Sequence, residues 1–134
     1  MPEVTTRFDR MVPAASVSIG PLRRQLRRFA RSHGASVRVE AAVALAFSEA
    51  CAPVVHAGAR RHGDPGPLIV EARVEADELW LRVAHHVRAM GVGPEMAGQG
   101  FGLALISQVA DHFEIRRRED GPGTALTMVF RLVS

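Results

Sequence analysis

The chain has 134 residues, of which 47% are hydrophobic and 23% charged, so we expect one globular domain over residues 1–134 rather than a disordered tail. The net charge is +3, all 17 basic residues are arginine, and the single cysteine excludes an internal disulfide. No window approaches about 18 consecutive apolar residues, and the charged N-terminus lacks the apolar run of a secretory signal. We therefore expect a cytoplasmic protein without a membrane-spanning helix.

The first half of the chain predicts one strand and two helices. Residues 5–12 favour a strand. A first helix follows, capped by Ser18 or a neighbour, with Pro21 in its first turn and Gly34 at its end. Its predicted buried stripe is Leu22, Leu26 and Phe29. A second helix begins near Val37, and its predicted apolar face is Val39, Val43, Ala46, Phe47, Ala50 and Val54.

The second half predicts two hairpins separated by a helix. Residues 58–67 form a loop rich in Gly and Pro, and alternation over 68–74 and 79–86 predicts a hairpin. The third helix is marked by Leu103, Ile106, Val109 and Ala110. Residues 113–118 and 124–133 predict a second hairpin. The expected fold class is α+β, a two-layer sandwich of a mainly antiparallel sheet with three helices on one face.

The first helix carries a stripe of arginines that forms a candidate partner-binding face. Its members are Arg23, Arg24, Arg27, Arg28 and Arg31. This spacing places them along one side of a helix, which suits either a solvated face or a docking face for an acidic protein. Because no aromatic residues are interleaved and the net charge is modest, we do not expect nucleic-acid binding.

Three motifs occur in an order that resembles one ATPase superfamily. They are "LAFSEACAPVVHAGA" on the second helix, "GQGFGLALISQVADHFEI" at the third, and the later "GPGTAL". Together they resemble the GHKL (Bergerat-fold) superfamily over about residues 12–133, and within it the bacterial anti-sigma-factor serine/threonine kinases of stress-response and sporulation switches. The resemblance implies ATP and Mg²⁺ as cofactors, homodimerisation, and a sigma factor or STAS-domain anti-sigma antagonist as partner.

The resemblance also assigns roles on the second helix. Glu49 matches the general base, whereas Pro53 occupies the position of the asparagine that holds Mg²⁺. A proline side chain has no oxygen to ligate a hard cation. It also removes a helical hydrogen bond, so we expect the helix to kink or end near residues 51–53. His56 lies one residue before the family's usual histidine.

The nucleotide-binding turns are altered in one place and retained in two others. His85 stands where the family's aspartate reads adenine, and Val87 and Ala89 replace glycines. The second glycine motif survives as Gly98, Gly100 and Gly102, which could cradle a phosphate at a helix N-terminus. Thr124 matches a threonine on the adenine side, although a hairpin turn explains it equally. His85 and His86 point to opposite sides of a strand, so we expect no metal site there.

These departures leave three hypotheses about function. The first is a pseudo-kinase that binds a sigma factor or STAS-type antagonist while ATP binding is weak or absent. The second is an active ATP-dependent kinase that phosphorylates such an antagonist. The third is a repurposed pocket that binds another small ligand or a metal through His85, His56 and His62. Two altered positions in one site favour the first hypothesis.

Overall fold

The computed structural model describes residues 6–59, 63–85, 101–119 and 123–133. Within these ranges the chain forms five strands and three helices. In chain order they are β1 (Arg7–Pro13), α1 (Ser16–Ser32), α2 (Val37–Ala59), β2 (Pro67–Glu75), β3 (Glu78–His85), α3 (Phe101–Val109), β4 (His112–Arg117) and β5 (Thr124–Arg131). The predicted order of strands and helices is confirmed, and α2 extends to Ala59, one residue past the predicted start of the loop at residue 58.

The five strands form one antiparallel sheet in the order β1-β2-β3-β5-β4. The β2–β3 hairpin turns through two residues, and Ala76 there adopts a left-handed φ of 51°. Alternate residues of the inner strands join the helices in one hydrophobic core; they include Leu68, Val70, Leu79, Leu81, Leu126, Met128 and Phe130. Because this core lies on one face of the sheet, the predicted two-layer α+β fold is confirmed.

Helix α1 begins earlier than the sequence pattern predicts. It starts at Ser16 with Ala15 as an N-cap that makes no side-chain hydrogen bond, so the predicted cap at Ser18 is wrong. The backbone N–H of Ala14 donates to the carbonyl of Gly66 at 2.8 Å, which fixes the end of β1 and lets the helix start directly afterwards. Pro21 consequently lies in the second turn rather than the first.

The end of α1 follows the prediction at Gly34. This glycine has a φ of +91°, and its N–H donates to the Arg31 carbonyl at 3.1 Å, while the N–H of Ala35 donates to the Ala30 carbonyl at 3.0 Å. These two bonds define a Schellman motif, which satisfies carbonyls that the helix end would otherwise leave unpaired. The chain then reverses within a few residues, and Ser36 caps α2 by accepting from the N–H of Val39.

Helix α2 is the central helix of the helical layer. It packs between α1 and α3 and against β3 and β5. All six residues of its predicted apolar face are buried. Among the described residues, α2 alone is long and apolar enough to cross a membrane by length and composition, but 44% of that window is buried inside the fold. The fully buried Val43, Ala46 and Phe47 of this window belong to the hydrophobic core of the fold.

A buried carboxylate joins α1 to α2. Glu40 is only 5% exposed, and its carboxylate accepts from Arg31 Nη2 at 2.7 Å and from Arg27 Nε at 3.1 Å. The hydrogen bond from Arg31, opposed by burial and assisted by Arg27, lowers the pKa of Glu40 from 4.5 to about 2. The same contact raises the pKa of Arg31. Glu40 and its two arginines therefore form an ionic contact between helices, which we call the Glu40 clasp.

The Glu40 clasp predicts a specific dependence of stability on pH. Because the folded pKa is below the ordinary value, the clasp stabilises the protein fully above about pH 4.5 and is lost as pH falls towards 2. We expect Glu40→Gln to lower the free energy of unfolding at pH 7, and we expect the difference from wild type to shrink as pH falls through this range. Urea unfolding at several pH values measures it.

A matched control for this experiment is Glu75→Gln. Glu75 is exposed and lies 3.7 Å from Arg73, so its replacement should change stability little at any pH. A difference between wild type and Glu40→Gln that stayed constant from pH 7 to pH 2 would contradict the charge-based interpretation of the clasp.

Candidate functional site

His85 and Thr124, the two predicted adenine-side residues, are brought together by the sheet. His85 is the last residue of β3, Thr124 is the first residue of β5, and the two are direct cross-strand partners. Each is 3% exposed, and both residues have interactions with neighbours. The prediction that His85 lies in phase with the buried residues Leu79, Leu81 and Val83 is confirmed.

The chemistry of this pair differs from that of an aspartate and a threonine. A carboxylate only accepts hydrogen bonds, whereas a neutral imidazole presents one donor and one acceptor nitrogen. The amino group of adenine needs an acceptor, and a given ring nitrogen of a neutral imidazole accepts in only one of the two tautomers. His85 therefore makes a poorer partner for adenine than the acid implied by the family pattern.

Helix α2 continues through Pro53, so it does not end near residues 51–53 as one of the two expectations held, and the other expectation, a kink there, stays a prediction. The helix runs six residues further, to Ala59. Because Pro53 has no N–H, the Glu49 carbonyl has no donor at the helical i+4 position. Burial of Cys51 on one side of the proline and Val54 on the other keeps the helix packed despite that loss. Here the tertiary packing of the helix outweighs the tendency of proline to end it.

The polar face of α2 has the predicted composition but few side-chain atoms that could bind a metal ion. Glu49 and Pro53 are half-buried, and His56 is exposed. Pro53 presents only carbon to any ligand at the position that the family pattern gives to Mg²⁺. Within the described ranges, no group of three or more His, Cys, Asp or Glu side chains is arranged to hold a metal ion. The residues present do not fit a bound Mg²⁺ at this position.

The glycine motif can be located only in part. Helix α3 begins at Phe101, so Gly102 falls in its first turn. Gly98 and Gly100 precede the helix in sequence and lie outside the described residues, as do His62, His86, Val87 and Ala89. The proposed phosphate cradle, the altered adenine turn and the convergence of His62 with other histidines therefore stay predictions.

The arginine stripe on α1 divides into two sets. Arg23 donates to Ser48 Oγ at 3.0 Å, and Arg27 and Arg31 bind Glu40, so these three contact α2. Arg24 and Arg28 are exposed, and no ion pair involving either is present in the described part of the chain. The sequence pattern did not distinguish these two sets.

Two features of α2 were missed by the sequence argument. Glu40 lies in phase with the buried positions 43, 44 and 47, and an acid at such a position indicates a cationic partner. Cys51, two residues from Glu49, is buried, and burial raises the pKa of its thiol to about 12. This thiol stays protonated at neutral pH and does not serve as a nucleophile.

Comparison with known proteins agrees with this geometry. The five-stranded antiparallel sheet with its helical layer is a two-layer α+β sandwich. The model of the histidine kinase-like ATPase domain matches residues 12–130, and the chain belongs to that family. The predicted GHKL membership is thus confirmed. No curated protein matches the chain.

Solved structures share the fold. One is a crystal structure of the RsbU and RsbW domains of Rv1364c from Mycobacterium tuberculosis, with a TM-score of 0.74 and 21% sequence identity. The match covers 96% of this chain and 32% of that one, so this chain spans about a third of that protein's length. At this identity the likeness establishes the fold.

The position of Pro53 predicts a stability change that is unusual for a point mutation. Pro53→Ala supplies an N–H for the Glu49 carbonyl, and we expect the free energy of unfolding to rise by about 2 kcal/mol, since proline is strongly disfavoured inside helices. Pro53→Gly supplies the same N–H with a lower helix propensity, so its gain should be about 1 kcal/mol smaller. Chemical denaturation measures both. A Pro53→Ala protein no more stable than wild type would show that the proline does not weaken α2.

Proposed function

We propose that the protein is an anti-sigma-factor-like regulator that acts by binding and has lost kinase activity. Its partner is a sigma factor or a STAS-type antagonist in the cytoplasm, and it works as a homodimer with weak or no ATP binding. The observation that carries the proposal is the family match over residues 12–130, combined with Pro53 and His85 at the positions where the resemblance expects the asparagine that holds Mg²⁺ and the aspartate that reads adenine.

The metal position supports loss of phosphoryl transfer. This reaction depends mainly on positioning and on a cation that neutralises the phosphates. The side chain of Pro53 provides no oxygen ligand for such a cation. Glu49 remains available as a base, but a base alone does not position a nucleotide or neutralise its charge.

The adenine position supports weak nucleotide binding independently of the metal. Loss of one hydrogen bond to a charged group costs about 1.5–3 kcal/mol, which is roughly ten- to a hundredfold in affinity. His85 lies on β3 and Pro53 on α2, so the two losses would affect different parts of the bound ATP–Mg²⁺. Together they place the expected dissociation constant for ATP–Mg²⁺ well above that of an active enzyme.

The exposed arginines of α1 support a protein partner. Arg24 and Arg28 are exposed and one helical turn apart, so they can meet two carboxylates on an acidic partner surface without disturbing the Glu40 clasp. The remaining three arginines of the stripe contact α2, and their replacement would change the fold as well as binding. Arg24 and Arg28 are therefore the informative positions for a docking test.

Nucleotide binding can be tested by thermal unfolding. With millimolar ATP and Mg²⁺ we expect Tm to rise by less than about 2 °C, because a ligand present below its Kd stabilises little. ATP with EDTA in place of Mg²⁺ is the control and should give the same small change. A stabilisation of several degrees that requires Mg²⁺, together with phosphate transfer to a STAS-domain protein, would instead establish the active-kinase hypothesis.

Partner binding can be tested with purified sigma factors and STAS-domain proteins from the same genome. We expect at least one to co-purify, and we expect Arg24→Glu with Arg28→Glu to weaken that complex about tenfold or more by reversing two contacts. Arg7→Glu with Arg116→Glu makes the same charge change on the sheet face opposite the helices and serves as the matched control. Absence of any complex, or equal effects of both pairs, would overturn the binding proposal.

A further inference from the structure

A groove on the helical layer lies outside the candidate nucleotide site and the arginine stripe. It has a volume of about 380 Å³ and runs between the first half of α2 and the end of α3. Its apolar lining comprises Val39, Ala41, Ala42, Leu45, Val109, Ala110 and Phe130. The groove exists because α3 has nine residues and α2 has 23, so α3 stops before it covers the N-terminal half of α2 on that side.

The surface of this groove is apolar where α2 faces solvent. Leu45 is 39% exposed, and Val37, at the start of the same helix, is 82% exposed. The core uses the opposite side of α2, where Val43, Ala46 and Phe47 are fully buried. An aliphatic ridge beside a groove between two helices has the form that receives an amphipathic helix from another protein.

The rim of the groove is positively charged. Arg38 and Arg131 line it from α2 and β5, and both are exposed. The acid at the rim, Asp111, accepts the backbone N–H of Arg131 at 2.7 Å. In the described ranges neither guanidinium forms an ion pair with a carboxylate. An occupant that complements this rim carries acidic residues beside its apolar ones.

We propose that this groove binds an amphipathic, acidic helix of a partner protein. The helix inserts aliphatic side chains beside Leu45 and sets carboxylates against Arg38 and Arg131, continuing the helical layer where α3 ends. The contact area of such a groove is small, so binding is weak and transient when it acts alone. This surface lies on the α3 side of α2, away from α1, so the proposal does not depend on the one for Arg24 and Arg28.

The test uses two synthetic amphipathic helical peptides with the same leucine face, one flanked by glutamates and the other by lysines. Each is titrated into the ¹⁵N-labelled full chain and followed by NMR. We expect the glutamate peptide to shift the amides of Ala41, Ala42, Leu45 and Ala110 saturably, and to bind about tenfold more tightly than the lysine peptide. The proposal would be overturned if the two peptides bound equally or if neither caused a saturable shift. It would also be overturned if the shifts were confined to α1 or to the sheet face opposite the helices.

Charge-reversal variants sharpen the test. Arg38→Glu with Arg131→Glu should reverse the preference, so that the lysine peptide binds more tightly than the glutamate peptide. Because a misfolded protein would lose binding of both peptides, this reversal also shows that the variant is folded. Leu45→Glu should abolish binding of both peptides. Arg24→Glu with Arg28→Glu, the same charge change on α1, should leave both affinities unchanged. A double variant that retained the glutamate preference would show that the rim arginines do not select the occupant.

Two other occupants give different results. Concentration-dependent self-association in sedimentation that Leu45→Glu removes would identify a second copy of this chain and overturn the proposal. Binding to phosphatidylserine vesicles that Leu45→Glu removes would identify a lipid surface and also overturn it. Failure of the peptide experiment leaves the sigma-factor and STAS experiments unaffected, because those read out the arginines of α1.

Discussion

Packing of the apolar face of α2 against β3 and β5 is the interaction on which the rest of the structure depends. Val43, Ala46 and Phe47 are fully buried in the core shared with the sheet. This packing sets the position of α2, and α2 in turn sets the positions of α1, through the Glu40 clasp, and of α3. Glu49, Pro53 and the Glu40 carboxylate all lie on α2 itself.

The strength of that packing explains how α2 tolerates a proline in its interior. Pro53 removes one backbone hydrogen bond, and the buried residues on either side of it keep the helix continuous. A nucleotide site tolerates less, because each ligating atom acts alone and neighbouring residues do not replace it. Substitutions can therefore remove nucleotide binding while the fold stays intact. This difference in tolerance makes a member of an ATPase family that acts only by binding physically reasonable.

Much of the fold followed from the sequence because periodicity is a property of whole segments. The apolar face of α2, the alternation of β2 and β3, and the end of α1 at Gly34 were all predicted correctly. The errors were local ones: the start of α1 depends on a bond between Ala14 and Gly66, and the continuation of α2 past Pro53 depends on tertiary packing. Likewise, the different roles of Arg24 and Arg27 depend on where Glu40 lies, which spacing within α1 does not encode.

The strand order has a consequence for how the protein is made. β5 lies inside the sheet, between β3 and β4, although it follows every other described strand along the chain. It contributes Met128 and Phe130 to the core and places Thr124 opposite His85. On the ribosome, β3 therefore lacks one of its two hydrogen-bonded neighbours until residues 124–131 have emerged. We expect the nascent chain to expose the edge of β3 from the time residues 78–85 have emerged until β5 joins them, and an unpaired strand edge of this kind is prone to aggregation before folding is complete.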